Sequence, residues 1–239
     1  MKKAIIVLVI IMVVCFVIAG ILALIEINNM KLFTYDINQS ETSELTETIN
    51  SIEINSTKIN DINIISTDDI SVTATLNGTY KSITNKTVAL NVKSISNNLE
   101  ISVDNEGFLK WIELGDFNNT LELNIYIPKT YSKDLNLNIV CGDLNIDGIS
   151  SNLYIDGVTS NINITYSKFD NAITINSVAS KINLNLPKGS DYFVVQSKLL
   201  GNMTYSIDGT TTNSTLHNGK NKIEINGVIS NFTINEYSK

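Results

Sequence analysis

The 239-residue chain contains no arginine: its 17 basic residues are all lysines, set against 24 acids for a net charge of −7. Without guanidinium forks to clamp phosphates, and with an acidic balance, the chain is a poor nucleic-acid binder. Cysteine is nearly absent too. Cys15 lies inside an apolar run and Cys141 is the only other, so no internal disulfide can staple the remainder. Its stability must come from burial and backbone hydrogen bonding. The single histidine, His217, sits in TTTNSTLHNGKN. One histidine and two cysteines make no zinc set, and a nucleophilic Cys141 would lack a base close to it in sequence. Glycine-rich phosphate loops ending in Lys-Ser or Lys-Thr, nucleophile elbows and G-G-x-G-x-D calcium repeats are all missing. The expected catalytic, cofactor and metal residues are therefore none.

One long hydrophobic run is present. Lys2 and Lys3 precede Ala4–Ile25, a stretch of 22 residues with no charge. As a helix it would span roughly 33 Å, enough to cross a bilayer's hydrocarbon core. A cleavable signal peptide has a shorter apolar region and an A-x-A site, so an uncleaved signal-anchor is expected, with secretion after cleavage as the alternative. Lysines before the span and Glu26 after it orient the N-terminus inward. The predicted organisation is a cytoplasmic tip at 1–3, a transmembrane helix at 4–25, a polar juxtamembrane linker at 26–48 and an extracytoplasmic domain at 49–239. Removing Lys2 and Lys3 leaves that exported part with 15 lysines against 24 acids, a charge of −9.

From Ile49 onward the pattern has period two. Ile52 and Ile54, Ile62 and Ile64, Val88 to Val92, Leu99 to Val103 and Leu121 to Ile125 all alternate with polar neighbours, which is the pattern of half-buried strands. No ten-residue stretch in this part makes a persuasive helix. An internal repeat is superimposed on the alternation. Residues 152–164 (NLYIDGVTSNINI) match 172–184 (AITINSVASKINL) at an offset of 20, and Leu135, Leu137, Val140, Gly142, Leu144 and Ile146 fill the same slots at an offset of 18. A weaker copy follows in Phe193, Val195, Gly201, Met203 and Tyr205.

Each copy is too short to bury its own apolar edge, and stacking the copies in parallel would bury it. The predicted fold is all-β: a single-domain β-solenoid with rungs of about 18–20 residues and short strands around a small-residue corner. A β-sandwich is the alternative. The segments 49–110 and 206–239 are expected to cap the open ends. Leu135, Leu137, Val140, Leu144 and Ile146 are read as inward-facing.

Polysaccharide-cleaving solenoids need acids paired on adjacent rungs. The slot after the corner reads Asp143, Asn161, Lys181, and Asp147 and Asp156 align with no second acid. What does recur is amide. Asn145, Asn163 and Asn183 fall in one outward column of the second strand, and Asn136, Tyr154 and Thr174 in one of the first. Such a column can hydrogen-bond along the stack and hold its register, and it is also the candidate outward binding face.

The corner Cys141-Gly142-Asp143, the proline-ended strands LNIYIPKTY (Leu123–Tyr131) and INLNLPKGS (Ile182–Ser190), and the N-terminal apolar span together resemble the putative-adhesin family of bacterial envelope domains. The likeness covers roughly residues 50–210. Ser160-Asn161 and Ser180-Lys181 depart from the small-Gly-Asp corner, which weakens any reading of Asp143 as part of a repeated binding array. The resemblance implies a non-catalytic, membrane-anchored binding module outside the cell, with an envelope protein or surface glycan as partner. A sensor or accessory subunit of a membrane complex is the alternative, and a polysaccharide-active enzyme the third reading.

Overall fold

The computed structural model describes residues 33–82, 87–105, 119–207, 210–212 and 219–238. The expected transmembrane span Ala4–Ile25, the tip before it and His217 lie outside the described residues. Those described are all-β, without a helix. Twelve strands follow one another: β1 (Phe33–Glu44), β2 (Ser51–Thr67), β3 (Ser71–Ser82), β4 (Val88–Ile95), β5 (Asn98–Asn105), β6 (Glu122–Pro128), β7 (Asp134–Ile149), β8 (Asn152–Tyr166), β9 (Ile173–Pro187), β10 (Tyr192–Ile207), β11 (Thr210–Thr212) and β12 (Asn221–Tyr237). The sheet runs β1-β3-β6-β2-β7-β8-β9-β12-β10-β11, with β5 also on β2 and β4 on β5.

Pairing is parallel from β6 through β2, β7, β8, β9 and β12 to β10. The repeat sets the register: Leu135 pairs with Leu153 and Leu153 with Ile173, at the offsets of 18 and 20. Only two residues join the end of β7 at Ile149 to the start of β8 at Asn152, although the two strands run parallel along their length. Fifteen extended residues would reach roughly 50 Å, whereas a two-residue link covers about 10 Å. Each strand must therefore curl back until its end lies beside its start. β2 shows the same split from outside: its first half pairs with β5 and its second half with β6.

The bend is where the side-chain phase changes. In β7, Leu135, Leu137 and Ile139 point inward at odd positions, then Leu144 and Ile146 at even ones, none more than 2% exposed. β8 repeats this with Leu153 and Ile155, then Ile162 and Ile164. The inward sets of both halves belong to one hydrophobic core. Val140, expected inward, is 44% exposed. The phase set by Leu135 and Leu137 gives the inward position before the bend to Ile139, so its neighbour Val140 faces out. Val158, Val178 and Val228 stand beside it in register and are just as exposed, forming an apolar strip along the outer ridge. At the corner, a Cβ on Gly142 would come within 2.4 Å of the Asn60 carbonyl oxygen, so close backbone approach accounts for this glycine.

Three further expectations change. Residues 33–44, inside the expected linker, form β1, paired along its length with β3. Its alternation is confined to Phe33, Tyr35 and Ile37, and the rest of the strand is polar, which hid it. The expected C-terminal cap is not one, because β12 lies inside the ladder between β9 and β10. The N-terminal segment is likewise only partly a cap, since β2 is a full partner of β7.

Inside the bend, Ser56, Thr159 and Ser177 are buried, and their hydroxyls meet no hydrogen-bond partner. An unsatisfied buried hydroxyl costs about 1–3 kcal/mol, so the near-isosteric Thr159→Val should raise unfolding stability by about 1 kcal/mol in urea titrations. An unchanged or lowered midpoint would mean that the hydroxyl is satisfied in solution.

Candidate binding face

The outward side chains of the stacked strands form columns, because parallel in-register pairing puts like slots about 4.8 Å apart. The sequence-predicted Asn145, Asn163 and Asn183 are brought together on the second half-strands. Asn183 Nδ2 donates to Asn163 Oδ1 at 2.7 Å, Asn163 to Asn145 at 3.0 Å, and Asn145 to Asn63 on β2 at 3.0 Å. Asn63 in turn donates to Asn124 Oδ1 and Glu122 Oε1, both at 2.9 Å. Every amide donates in the same sense, so the dipoles add along the column and end on a carboxylate. Thr233 continues the column beside Asn183, and its hydroxyl meets that of Thr204 at 2.9 Å. In Asn145 and Asn163 one N–H and one carbonyl lone pair serve the ladder, and in Asn183 one N–H does, leaving the second N–H of each directed away from it.

The other predicted column, Asn136, Tyr154 and Thr174, is also in register. It lies on the first half-strands, across the bend, so the six residues occupy two outward faces rather than one. Tyr154 is 38% exposed, and its hydroxyl accepts a hydrogen bond from Asn176 Nδ2 at 2.9 Å. Asn138 donates to Asn55 at 3.0 Å and Asn226 to Asn176 at 2.8 Å, two amide pairs with Asp156 between them in the row beside Tyr154. Glu53 pairs with Asn136 and Glu224 with Thr174, which makes the column acidic at both ends. Lys222 holds the Glu224 carboxyl below its usual range through a 2.6 Å contact.

The acidic columns need correcting. Asp143 does have an acid beside it: Asp61 on β2 pairs with it, and Glu122 on β6 pairs with Asp61 from the other side. The sequence comparison missed this because β2 was read as a cap, although Asp61-Ile62-Asn63-Ile64 carries the same slots as Asp143-Leu144-Asn145-Ile146. Asn161 Nδ2 holds Asp143 Oδ1 at 2.8 Å. Partial burial, then the Asp143 and Glu122 charges, push the Asp61 carboxyl above its ordinary value of 3.8. Folding therefore favours protonated Asp61, a contribution present below that value and lost as pH rises through the raised one. Asp61→Asn should accordingly raise the urea midpoint at pH 7 and leave it unchanged at pH 3. A variant no more stable at pH 7 would contradict the repulsion. The three carboxylates lie on the outer face of the sheet, with Asp61 and Glu122 exposed.

Cys141 is half-buried against the core, and burial, with help from Asp143 and Asp61, pushes its thiol up to about 12. Such a thiol stays protonated at neutral pH and is a poor nucleophile. Among the described residues, no three His, Cys, Asp or Glu side chains are grouped to hold a metal ion.

No protein-family model matches this chain, and no curated protein sequence does either. Solved structures do. The crystal structure of a putative cell adhesion protein from Clostridium sporogenes superimposes with a TM-score of 0.57 at 16% identity, covering 84% of this chain and all of that one. A putative adhesin from Bacteroides fragilis (TM-score 0.28, 12% identity, 86% of this chain and 97% of that one) is more distant. So is a putative lipid binding protein from Parabacteroides distasonis (TM-score 0.23, 11% identity, 84% and 97%). The first of these shows a shared fold.

Proposed function

We propose that this chain is a membrane-anchored, extracytoplasmic binding module of the adhesin type, without catalytic activity. Ala4–Ile25 is its single-pass anchor, with the N-terminus in the cytoplasm, and its curled parallel strands are the rungs of a β-solenoid. The observation that carries the reading is the uninterrupted outward column from Asn124 through Asn63, Asn145 and Asn163 to Asn183. A column whose members are fixed by one another presents spare N–H groups and lone pairs at a regular spacing with little entropy left to lose. That suits a partner with repeated hydroxyl or amide groups, such as a surface glycan or an extended envelope protein. The fold shared with the putative cell adhesion protein from C. sporogenes supports the same reading.

The negative outward charge disfavours anionic polymers, so neutral glycans are the first probe. Cells expressing the full chain should lose the domain to external protease while retaining the anchor. They should also bind neutral glycan-coated beads above the level of cells lacking the chain. Protection from external protease would refute the topology, and release of sugar from the beads would revive an enzyme.

A further inference from the structure

The amide column has two unlike ends. Every member donates toward β6, so the column begins at Asn183 and finishes at Asn124, which accepts from Asn63 at 2.9 Å. Asn145 and Asn163 each commit one N–H to the ladder. Asn124 commits none, and its amide nitrogen meets no partner among the described residues, so both of its N–H groups remain. Next to it, Glu122 receives Asn63 on Oε1 at 2.9 Å and keeps Oε2 for a further donor.

The same end breaks the polar pattern of the face. Along the sheet from β3 through β6, β2, β7, β8 and β9 to β12, the asparagine column and the two columns flanking it hold amides, hydroxyls, carboxylates and Lys181, with two exceptions. These are Tyr126 on β6 and Ile65 on β2, which pair with each other and lie two residues beyond Asn124 and Asn63. Tyr126 is half-buried and Ile65 is 36% exposed. The matching slots on β3 and β8 hold Thr73 and Thr165, so the sheet itself does not require an aromatic ring there.

These groups define what fits. Free N–H donors beside a carboxylate suit a ligand group that accepts and donates at once, which is a hydroxyl. Glu122 and its neighbour Asp61 repel phosphates and carboxylates. One ring and one branched side chain are too little for the centre of a protein interface of roughly 20–30 residues a side. They match the apolar C–H face of a single sugar ring.

We propose, building on the binding face assigned above, that the β6 end of the column is a pyranose subsite. A neutral sugar ring lies with its C–H face on Tyr126 and Ile65, its hydroxyls accepting from Asn124 and donating to Glu122 Oε2. The sugars that follow run along the column, where strands about 4.8 Å apart present the second N–H of Asn145, Asn163 and Asn183.

The test titrates the full-length chain in detergent with cellohexaose, mannohexaose and N-acetylchitohexaose in a calorimeter. At least one should bind. Tyr126→Thr, which gives β6 the residue type that β8 carries in that slot, should weaken it by at least about tenfold, whereas Tyr126→Phe keeps it. Asn124→Asp retains the oxygen that Asn63 needs and removes both N–H groups, so it should weaken binding while leaving the ladder whole. Tyr154→Thr, on the opposite face, should bind like the parent. Sugar binding untouched by Tyr126→Thr and Asn124→Asp would overturn the subsite, and its loss in a chain with Asn145→Lys and Asn183→Lys would show that the face itself stands. Failure of all three sugars, in a chain that still retains envelope proteins through that face, would overturn the sugar class alone. Circular dichroism of each variant identifies a folding failure, and Ile65→Thr then takes the place of Tyr126→Thr.

Discussion

Ile162→Asp should leave the domain unfolded at room temperature, while Val158→Asp, four residues away on the same strand, should melt within a degree or two of the parent. Ile162 is 0% exposed and belongs with Ile164 and the facing half-strand to the hydrophobic core. An ionised carboxylate there has no partner. Its desolvation, together with the lost packing, approaches or exceeds the roughly 5–15 kcal/mol of net stability typical of a domain. Protonation would only reduce that cost, because a neutral carboxyl in the same place remains unsatisfied. Val158 is apolar and belongs to the same repeat, but it is 48% exposed on the outer ridge, where a charge stays hydrated. Far-UV circular dichroism against temperature reads both. Equal damage from the two substitutions would contradict the phase change at the bend.

Gly227→Ala should cost several kcal/mol, and more than Gly189→Ala. Both glycines have positive φ, 128° and 79°, where a side chain strains the backbone by about 1–2 kcal/mol. Their surroundings differ. A Cβ at Gly189 meets nothing within 4 Å, so strain is its whole penalty. A Cβ at Gly227 would lie 1.9 Å from the Ser177 carbonyl oxygen and 3.1 Å from the Ser177 nitrogen, both backbone atoms of β9 that cannot step aside without opening the ladder. Because β12 is paired on both edges, that opening would be felt by β10 as well. Urea unfolding of the two variants side by side isolates the steric part. Similar midpoints would mean that β12 does not sit against β9 as described.

The stack's register was readable because its apolar positions recur at a nearly constant offset. Leu135, Leu153 and Ile173 sit 18 and then 20 residues apart, and the strands pair at those offsets. The amide column followed from the same register, since Asn145, Asn163 and Asn183 share a slot. β12 escaped notice because its partner on β9 lies 50 residues back and the order of the strands in the sheet is not their order in the chain. A signal was nonetheless present: Ile223, Ile225, Val228, Phe232 and Ile234 have the spacing of Ile173, Ile175, Val178, Ile182 and Leu184. Val140 was placed by its slot in the repeat when the local alternation, counted from Leu135 and Leu137, already gave the inward position to Ile139. The Asp61–Asp143 neighbours could not be seen while β2 was taken for a cap. That each strand bends so that the two outward columns sit on different faces is a property of the closed path, and alternation along a strand says nothing about it.

Binding by displayed full-length chains carrying lysines on one outward face at a time tests the account most directly. One variant carries Asn145→Lys and Asn183→Lys, which break the amide column on two strands. Another carries Asn138→Lys and Asp156→Lys, which add charge to the opposite face next to Tyr154. All four positions point outward, so both variants should fold, the first melting somewhat lower for the ladder hydrogen bonds it loses, and each variant's display is checked with an antibody to a terminal tag. The account predicts that the first variant loses neutral-glycan or envelope-fraction binding by at least about tenfold, a loss of about 1.4 kcal/mol, while the second keeps it. Parental binding by the first variant, at equal display, would contradict the assignment of the asparagine column as the binding face.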